Sequence, residues 1–98
     1  MKTDQVIKIL FIEKSVEDAE QIISLLRNSG IAVRPARATS ADQITAALDE
    51  LGPDIVLFDP SVGTLELREV SRMLDAHGRD LSLIALDSRA PTLHRRLR

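Results

Sequence analysis

Carboxylates stand at three places in this sequence where they could do chemistry. Glu13, Asp59 and Asp87 each come immediately after a short apolar, β-rich run. If the runs are parallel strands of one sheet, their carboxyl ends lie at a common edge, which is where active residues gather in such folds. A carboxylate there can attack phosphorus as a nucleophile, or it can bind a hard cation such as Mg²⁺. The sequence therefore predicts an acidic site, provided that the surrounding elements form such a sheet.

The elements needed for this arrangement are indicated by two alternating hydrophobic periods. Short β-rich runs alternate with segments whose apolar residues recur at helical spacing. Ser15, with two acidic residues in the turn after it, is typical of a helix N-cap, and Gly30 is typical of a helix C-terminus. We predict strands at 6–12, 31–36, 54–59 and 81–86, and helices from Ser15 to 28, from Thr39 or Ser40 to the stop at Gly52, from 67 to the stop at 77–78, and from Pro91 onward.

The strict alternation of strand and helix predicts the fold class. Parallel strands need crossover helices, and right-handed crossovers place those helices on the faces of the sheet. With 98 residues, the chain has room for one hydrophobic core. We therefore expect a single α/β domain over residues 1–98, with Pro35 placing the second strand at a sheet edge.

The composition excludes further classes of function. The chain has no cysteine, so disulfides, thiolate metal sites and cysteine nucleophiles are ruled out. Phe11 and Phe58 are the only large aromatic residues, which argues against modules that stack nucleic-acid bases on exposed rings. The net charge of −2 implies no global attraction to DNA or anionic lipid. The sequence has neither a bilayer-spanning stretch nor a signal-peptide core, so we expect a cytoplasmic domain that binds no nucleic acid and does not insert into membranes.

Three stretches of the chain resemble the response-regulator receiver (CheY-like) domains of two-component signalling. They are ILFIEKSVEDAEQIISLLRNSG at 9–30, PDIVLFDP at 53–60 and LSLIALDS at 81–88. The resemblance implies a flavodoxin-like doubly wound parallel sheet in the order 2-1-3-4, with the fifth strand and helix of the family missing from this chain. It also implies that Asp59 occupies the place of the aspartate that accepts a phosphoryl group from a histidine kinase.

The resemblance also matches the residues around the phosphoacceptor, but with departures. In the family an acidic pair after the first strand helps to bind Mg²⁺, and the matching residues here are Glu13 and Lys14. A Thr or Ser after the fourth strand senses the phosphoryl group, and the match is Asp87, or Ser88 if the register shifts by one. Lys14 therefore puts a positive charge where the metal would be held, and Asp87 would repel an incoming phosphoryl group.

These departures predict a degenerate receiver with no catalytic residue, no cofactor, no bound metal and no enzyme activity. Lys14 is expected to form a salt bridge with Asp59. The alternative is a working phosphoacceptor, in which Glu13 and Asp59 would bind Mg²⁺ despite Lys14.

The resemblance further indicates how such a domain would act. We expect contact with a protein partner or dimerisation, beside an output module in a longer bacterial-type signalling protein. The stretch at 15–30 is similar to the receiver of FimX-type proteins, which link cyclic-di-GMP to pilus function.

Two other functions have less support in the sequence. A nucleotide-binding flavodoxin-like domain would need a glycine-rich loop after the first strand, and residues 12–18 contain no glycine. An independent enzyme would need a nucleophile paired with a base, and no such pair stands out in the sequence.

Overall fold

Strands and helices alternate through most of the described chain. The structure, a computed structural model, describes residues 6–63, 65–77, 81–85 and 92–94. Within these residues a 3₁₀ turn, Pro60–Val62, follows the third strand. The strands are β1 (Ile7–Ile12), β2 (Val33–Ala38), β3 (Ile55–Phe58), β4 (Ser82–Ala85) and β5 (Thr92–His94), and the helices are α1 (Val16–Asn28), α2 (Ala41–Glu50) and α3 (Leu67–His77).

All five strands belong to one sheet, in the order β2-β1-β3-β4-β5. β1 pairs in parallel with both β2 and β3, and β3 pairs in parallel with β4. Pro35 lies in β2 at the edge of the sheet, as predicted. The four parallel strands have the predicted order 2-1-3-4, which confirms the α/β, flavodoxin-like fold class.

The fifth strand corrects one prediction. Pro91 was expected to begin a fourth helix, but Thr92–His94 is a strand that runs antiparallel to β4, with Ile84 paired to Leu93. The physical reason is that a short isolated helix is marginal in water, whereas a strand beside β4 satisfies the backbone groups along that edge. β5 therefore covers the edge of β4. Residues 95–98 of the predicted helix are outside the described residues.

The start of β2 differs by two residues from the prediction of 31–36. Gly30 has φ 88°, and its N–H donates to the Arg27 carbonyl at 3.0 Å. The Ile31 N–H donates to the Leu26 carbonyl at 3.0 Å. This pair of bonds is a Schellman motif, so Ile31 belongs to the end of α1 rather than to the strand. Its side chain packs with α1 on one face of the sheet.

Side-chain caps fix where the first two helices begin. The Asp18 N–H donates to the Ser15 hydroxyl at 3.1 Å, as the sequence predicted. Of the two candidates for the second cap, Ser40 is the one used, because its hydroxyl accepts from the Gln43 N–H at 3.2 Å. The Gln43 side chain accepts from the Thr39 N–H at 2.7 Å, so both candidates take part in starting α2.

The two faces of the sheet are covered differently. On the face that we call the closed face, α2 and α3 pack on the sheet around a buried cluster, Leu10, Ile12, Ala38, Ile44, Leu48, Val56, Phe58, Val62, Leu65, Val70, Leu74, Leu81 and Leu83. On the other, which we call the open face, α1 packs around a smaller cluster, Ile9, Phe11, Ala19, Ile23, Val33 and Leu57. Beside α1 the open face has an apolar groove of about 420 Å³, lined by Ile7, Ile9, Ile22, Leu26, Ile31, Ile55, Leu57 and Ile84.

Candidate acidic site at the carboxyl edge

The sheet brings Glu13 and Asp59 together. Ile12, the last residue of β1, pairs with Phe58, the last residue of β3. Glu13 and Asp59 are the next residues of their chains, so they leave two neighbouring parallel strands at the same edge. The Asp59 N–H donates to the Ile12 carbonyl at 2.9 Å, which extends the pairing up to the site. The common carboxyl edge predicted from the sequence is therefore present for these two residues.

Glu13 is held inside this edge. Its side chain is only 4% exposed, and it is the one buried charged residue among those that the structure describes. Its Oε2 accepts from the Ser15 N–H at 3.0 Å. The half-buried carboxyl of Asp59 lies close enough for the two groups to interact electrostatically. Two ionised carboxylates placed this way repel each other, so the site disfavours carrying both negative charges.

Electrostatics favours a protonated Glu13. Burial raises the pKa of Glu13 above its usual value, the neighbouring side chain of Asp59 with its negative charge raises it further, and Asp18 adds a smaller effect in the same direction. The Ser15 N–H opposes them because it stabilises the ionised carboxylate, but the net shift of the pKa is upward. The two carboxyls therefore form a coupled pair that resists carrying two negative charges.

Lys14 does not take the place expected of it. Its side chain is exposed, and within the described part of the chain no ion pair joins it to Asp59. Glu13 lies beside Asp59 instead. The predicted Lys14–Asp59 salt bridge is therefore not formed within the described residues. The Lys14 backbone carbonyl is nevertheless part of the site, because it accepts from Arg37.

Arg37 and the Ser15 backbone are the parts of the site that sequence reasoning missed. Arg37 Nη1 donates to the Glu13 carbonyl at 3.0 Å and to the Lys14 carbonyl at 3.4 Å. The sequence did contain one signal of this contact, an arginine near the carboxyl end of the edge strand. The sequence could not assign its partners, because they lie on a loop that is 24 residues away along the chain.

The donor set fits a hard cation poorly. Among the described residues, no three His, Cys, Asp or Glu side chains come together as metal ligands. Glu13 and Asp59 offer carboxyl oxygens, but the raised pKa of Glu13 favours its neutral form, which is a poor ligand for a cation. Mg²⁺ sites keep one or two ionised carboxylates beside water and substrate phosphates. Asp87 and Ser88, the other two predicted members of the site, lie outside the described residues.

The comparisons leave the site to be interpreted from its own residues. No protein-family model, curated protein or solved structure matches this chain. In the part of the chain that the structure describes, no helix is long and apolar enough to cross a membrane.

Proposed function

We propose that this chain is a degenerate receiver-like signalling domain that is not phosphorylated. It acts by contact with a protein partner or with a second copy, within a longer cytoplasmic regulatory protein of the FimX type. The observation that carries this proposal is that the buried Glu13 lies beside Asp59 at the ends of β1 and β3, while Lys14 is exposed.

This arrangement argues against phosphoryl transfer to Asp59. An acceptor aspartate has to be ionised to attack phosphorus, and Mg²⁺ has to offset the negative charge that gathers during transfer. Burial and Asp59 raise the pKa of Glu13, which disfavours the ionised form that would help to bind the metal. The second acidic residue that would help to hold the metal is replaced by Lys14, which is exposed. The requirement for a metal is therefore poorly met by these residues.

The apolar groove supports action by contact. Its lining is entirely aliphatic, whereas sites for small polar ligands carry a few convergent polar groups that orient the ligand. Apolar surface that remains accessible beside a core is typical of sites where proteins meet. The groove lies on the open face, away from the closed core that holds the fold together.

Intact-mass measurement after exposure to Mg²⁺ and a small phosphoryl donor tests the proposal. The wild-type domain is compared with Asp59→Asn, which removes the acceptor, and with Lys14→Asp, which restores a second carboxylate. We expect no phosphoryl-sized gain in the wild type or in Asp59→Asn. A gain in Lys14→Asp alone would show that this one position blocks the chemistry.

The opposite result has an equally clear meaning. A phosphoryl-sized gain in the wild type that Asp59→Asn lacks would overturn the proposal and establish Asp59 as a working phosphoacceptor. Far-UV circular dichroism of all three proteins would exclude loss of folding as the reason for an absent gain.

Sedimentation velocity separates the two kinds of contact. Self-association that grows with concentration and is lost in Ile22→Asn would indicate that the groove mediates dimerisation. A monomer at all concentrations would assign the contact to a different protein. Ile22 is suited to this test because it lines the groove and is only half-buried, so the variant can fold.

A further inference from the structure

Arg37 links the edge strand of the sheet to the loop that carries Glu13. It lies next to the last residue of β2, where its backbone pairs with Phe11 of β1. Its Nη1 donates to two consecutive carbonyls, those of Glu13 at 3.0 Å and Lys14 at 3.4 Å. Two successive peptide groups are therefore oriented toward one nitrogen atom.

The loop between β1 and α1 is short, so this contact acts on all of it. Residues 13–15 connect the strand to the helix. At one end the Ser15 hydroxyl caps α1, and the Ser15 N–H donates to the Glu13 carboxylate. At the other end the Ile12 carbonyl accepts from the Asp59 N–H. The orientation of the two peptide groups between these ends decides where the Glu13 side chain points.

We propose that Arg37 is the positioning residue of the acidic site, because its bonds to the Glu13 and Lys14 carbonyls hold the loop so that the Glu13 carboxyl lies against Asp59. This role rests on the proposed function in one respect: by keeping Glu13 in place, Arg37 keeps Asp59 closed to phosphoryl transfer. Arg37 contacts the backbone of the loop and acts on Asp59 only through the position of Glu13.

Strand pairing alone does not explain the contact. β1 and β2 are already joined over six registered pairs, from Ile7–Val33 to Ile12–Ala38. The carbonyls that Arg37 binds come after that ladder has ended. Bonds from a charged donor are stronger than those between neutral groups. The contact therefore adds little to the sheet and acts mainly on the loop.

The chemistry of arginine suits this position. The guanidinium is always charged and holds its donors in a rigid planar fork, so one end can bind two adjacent carbonyls while the rest faces water. Arg37 is exposed and is one of the residues that line a crevice between α1 and β2, together with Val16 and Pro35. A lysine can reach the carbonyls but lacks the fork.

Amide hydrogen exchange at Ser15, followed by NMR on the wild-type chain and three variants, tests the role of Arg37. The Ser15 N–H is a direct reporter because its acceptor is the Glu13 carboxylate. Arg37→Gln removes the charged donor, and Arg37→Lys restores the charge without the fork. Arg34→Gln is the matched control, since Arg34 is exposed on the same strand and makes no side-chain hydrogen bond to the described residues.

We expect Ser15 to exchange roughly tenfold faster in Arg37→Gln, the change that corresponds to loss of about one hydrogen bond to a charged group. Arg37→Lys should recover part of the protection, and Arg34→Gln should match the wild type. Amides within β1 and β2 should keep their wild-type rates in every variant. Residue 37 is not a chain neighbour of Ser15, so the intrinsic exchange rate of that amide stays the same.

Two results would overturn the inference. Wild-type exchange at Ser15 in Arg37→Gln would mean that the loop is held without Arg37. Faster exchange at Ser15 together with the β1 and β2 amides would reduce Arg37 to a general support of the sheet. Neither result depends on a phosphoryl donor, so failure here is distinguishable from failure of the proposed function.

Discussion

The two faces of the sheet carry the same kind of side chain but differ in how they are covered. Aliphatic residues line both, yet the closed face buries thirteen of its residues in one cluster and the open face buries six. Within the described residues, α2 and α3 pack on the closed face, while α1 alone packs on the open face. An aliphatic pattern therefore becomes a core or a groove according to the number of helices that reach it.

The largest expected effect comes from removing a buried leucine on the closed face. Leu74 on α3 is fully buried. Leu74→Ala should lower the free energy of unfolding by about 3–5 kcal/mol, because it loses transfer free energy and leaves a cavity that packed neighbours cannot fill. Urea unfolding measures the change. A loss below about 1 kcal/mol would contradict the description of this face as a closed core.

The carboxyl edge of the sheet is expected to make the free energy of unfolding depend on pH, whereas the two apolar faces are not. The pKa of Glu13 is raised in the folded state above its unfolded value, mainly by burial and by Asp59. The folded state therefore binds a proton that the unfolded state has released, and stability falls as pH rises from the usual carboxyl pKa through the raised one. The slope is at most about 1.4 kcal/mol per pH unit, the limit for one proton.

Urea midpoints measured across this pH window, for the wild type and Glu13→Gln, check the prediction. The amide keeps a similar shape but does not titrate, so the variant should lose this part of the pH dependence. An identical pH dependence in both proteins would mean that Glu13 does not hold the proton. Leu74→Ala should shift the whole curve without changing its slope, since Leu74 is buried on the closed face, away from the acidic site.

The matched leucine on the open face should cost less. Leu26 on α1 lines the groove and is half-buried. Leu26→Ala should lower the free energy of unfolding by about 1 kcal/mol, because part of the side chain is already in water and the space left behind is open to solvent. The same urea experiment decides this. A loss equal to that of Leu74→Ala would mean that the groove is filled in solution.

The smallest effect is expected at the rim of the closed face. His77 Nε2 lies 3.4 Å from Asp49 Oδ1, which joins the end of α3 to α2. The Asp49 side chain is 70% exposed, so water screens the contact. Asp49→Asn should change the free energy of unfolding by less than about 0.5 kcal/mol. Glu50→Gln, on the next exposed position of α2, is the control; a clearly larger loss in Asp49→Asn would show that this rim contact helps to close the face.

Much of the acidic site followed from the strand pattern, and the rest did not. Glu13 and Asp59 were predicted to share an edge because each follows a strand, and the register places them there. The strand pattern could not show that the pKa of Glu13 is raised, which depends on burial and on the position of Asp59. The predicted salt bridge between Lys14 and Asp59 rested on their opposite charges alone. The exposed position of Lys14 and the contact from Arg37 are properties of the folded loop.

The sequence by itself determined the four parallel strands, the three described helices, the Ser15 cap and the edge position of β2. Periodicity, capping and the missing N–H of Pro35 act between residues that are close along the chain, so they can be recognised before folding. The tertiary structure alone decided that Thr92–His94 joins β4, that Arg37 binds the β1–α1 loop, and that an apolar groove lies beside α1 among the described residues. Each of these depends on which distant segments meet, and backbone pairing, charge and burial at that meeting outweigh local preference.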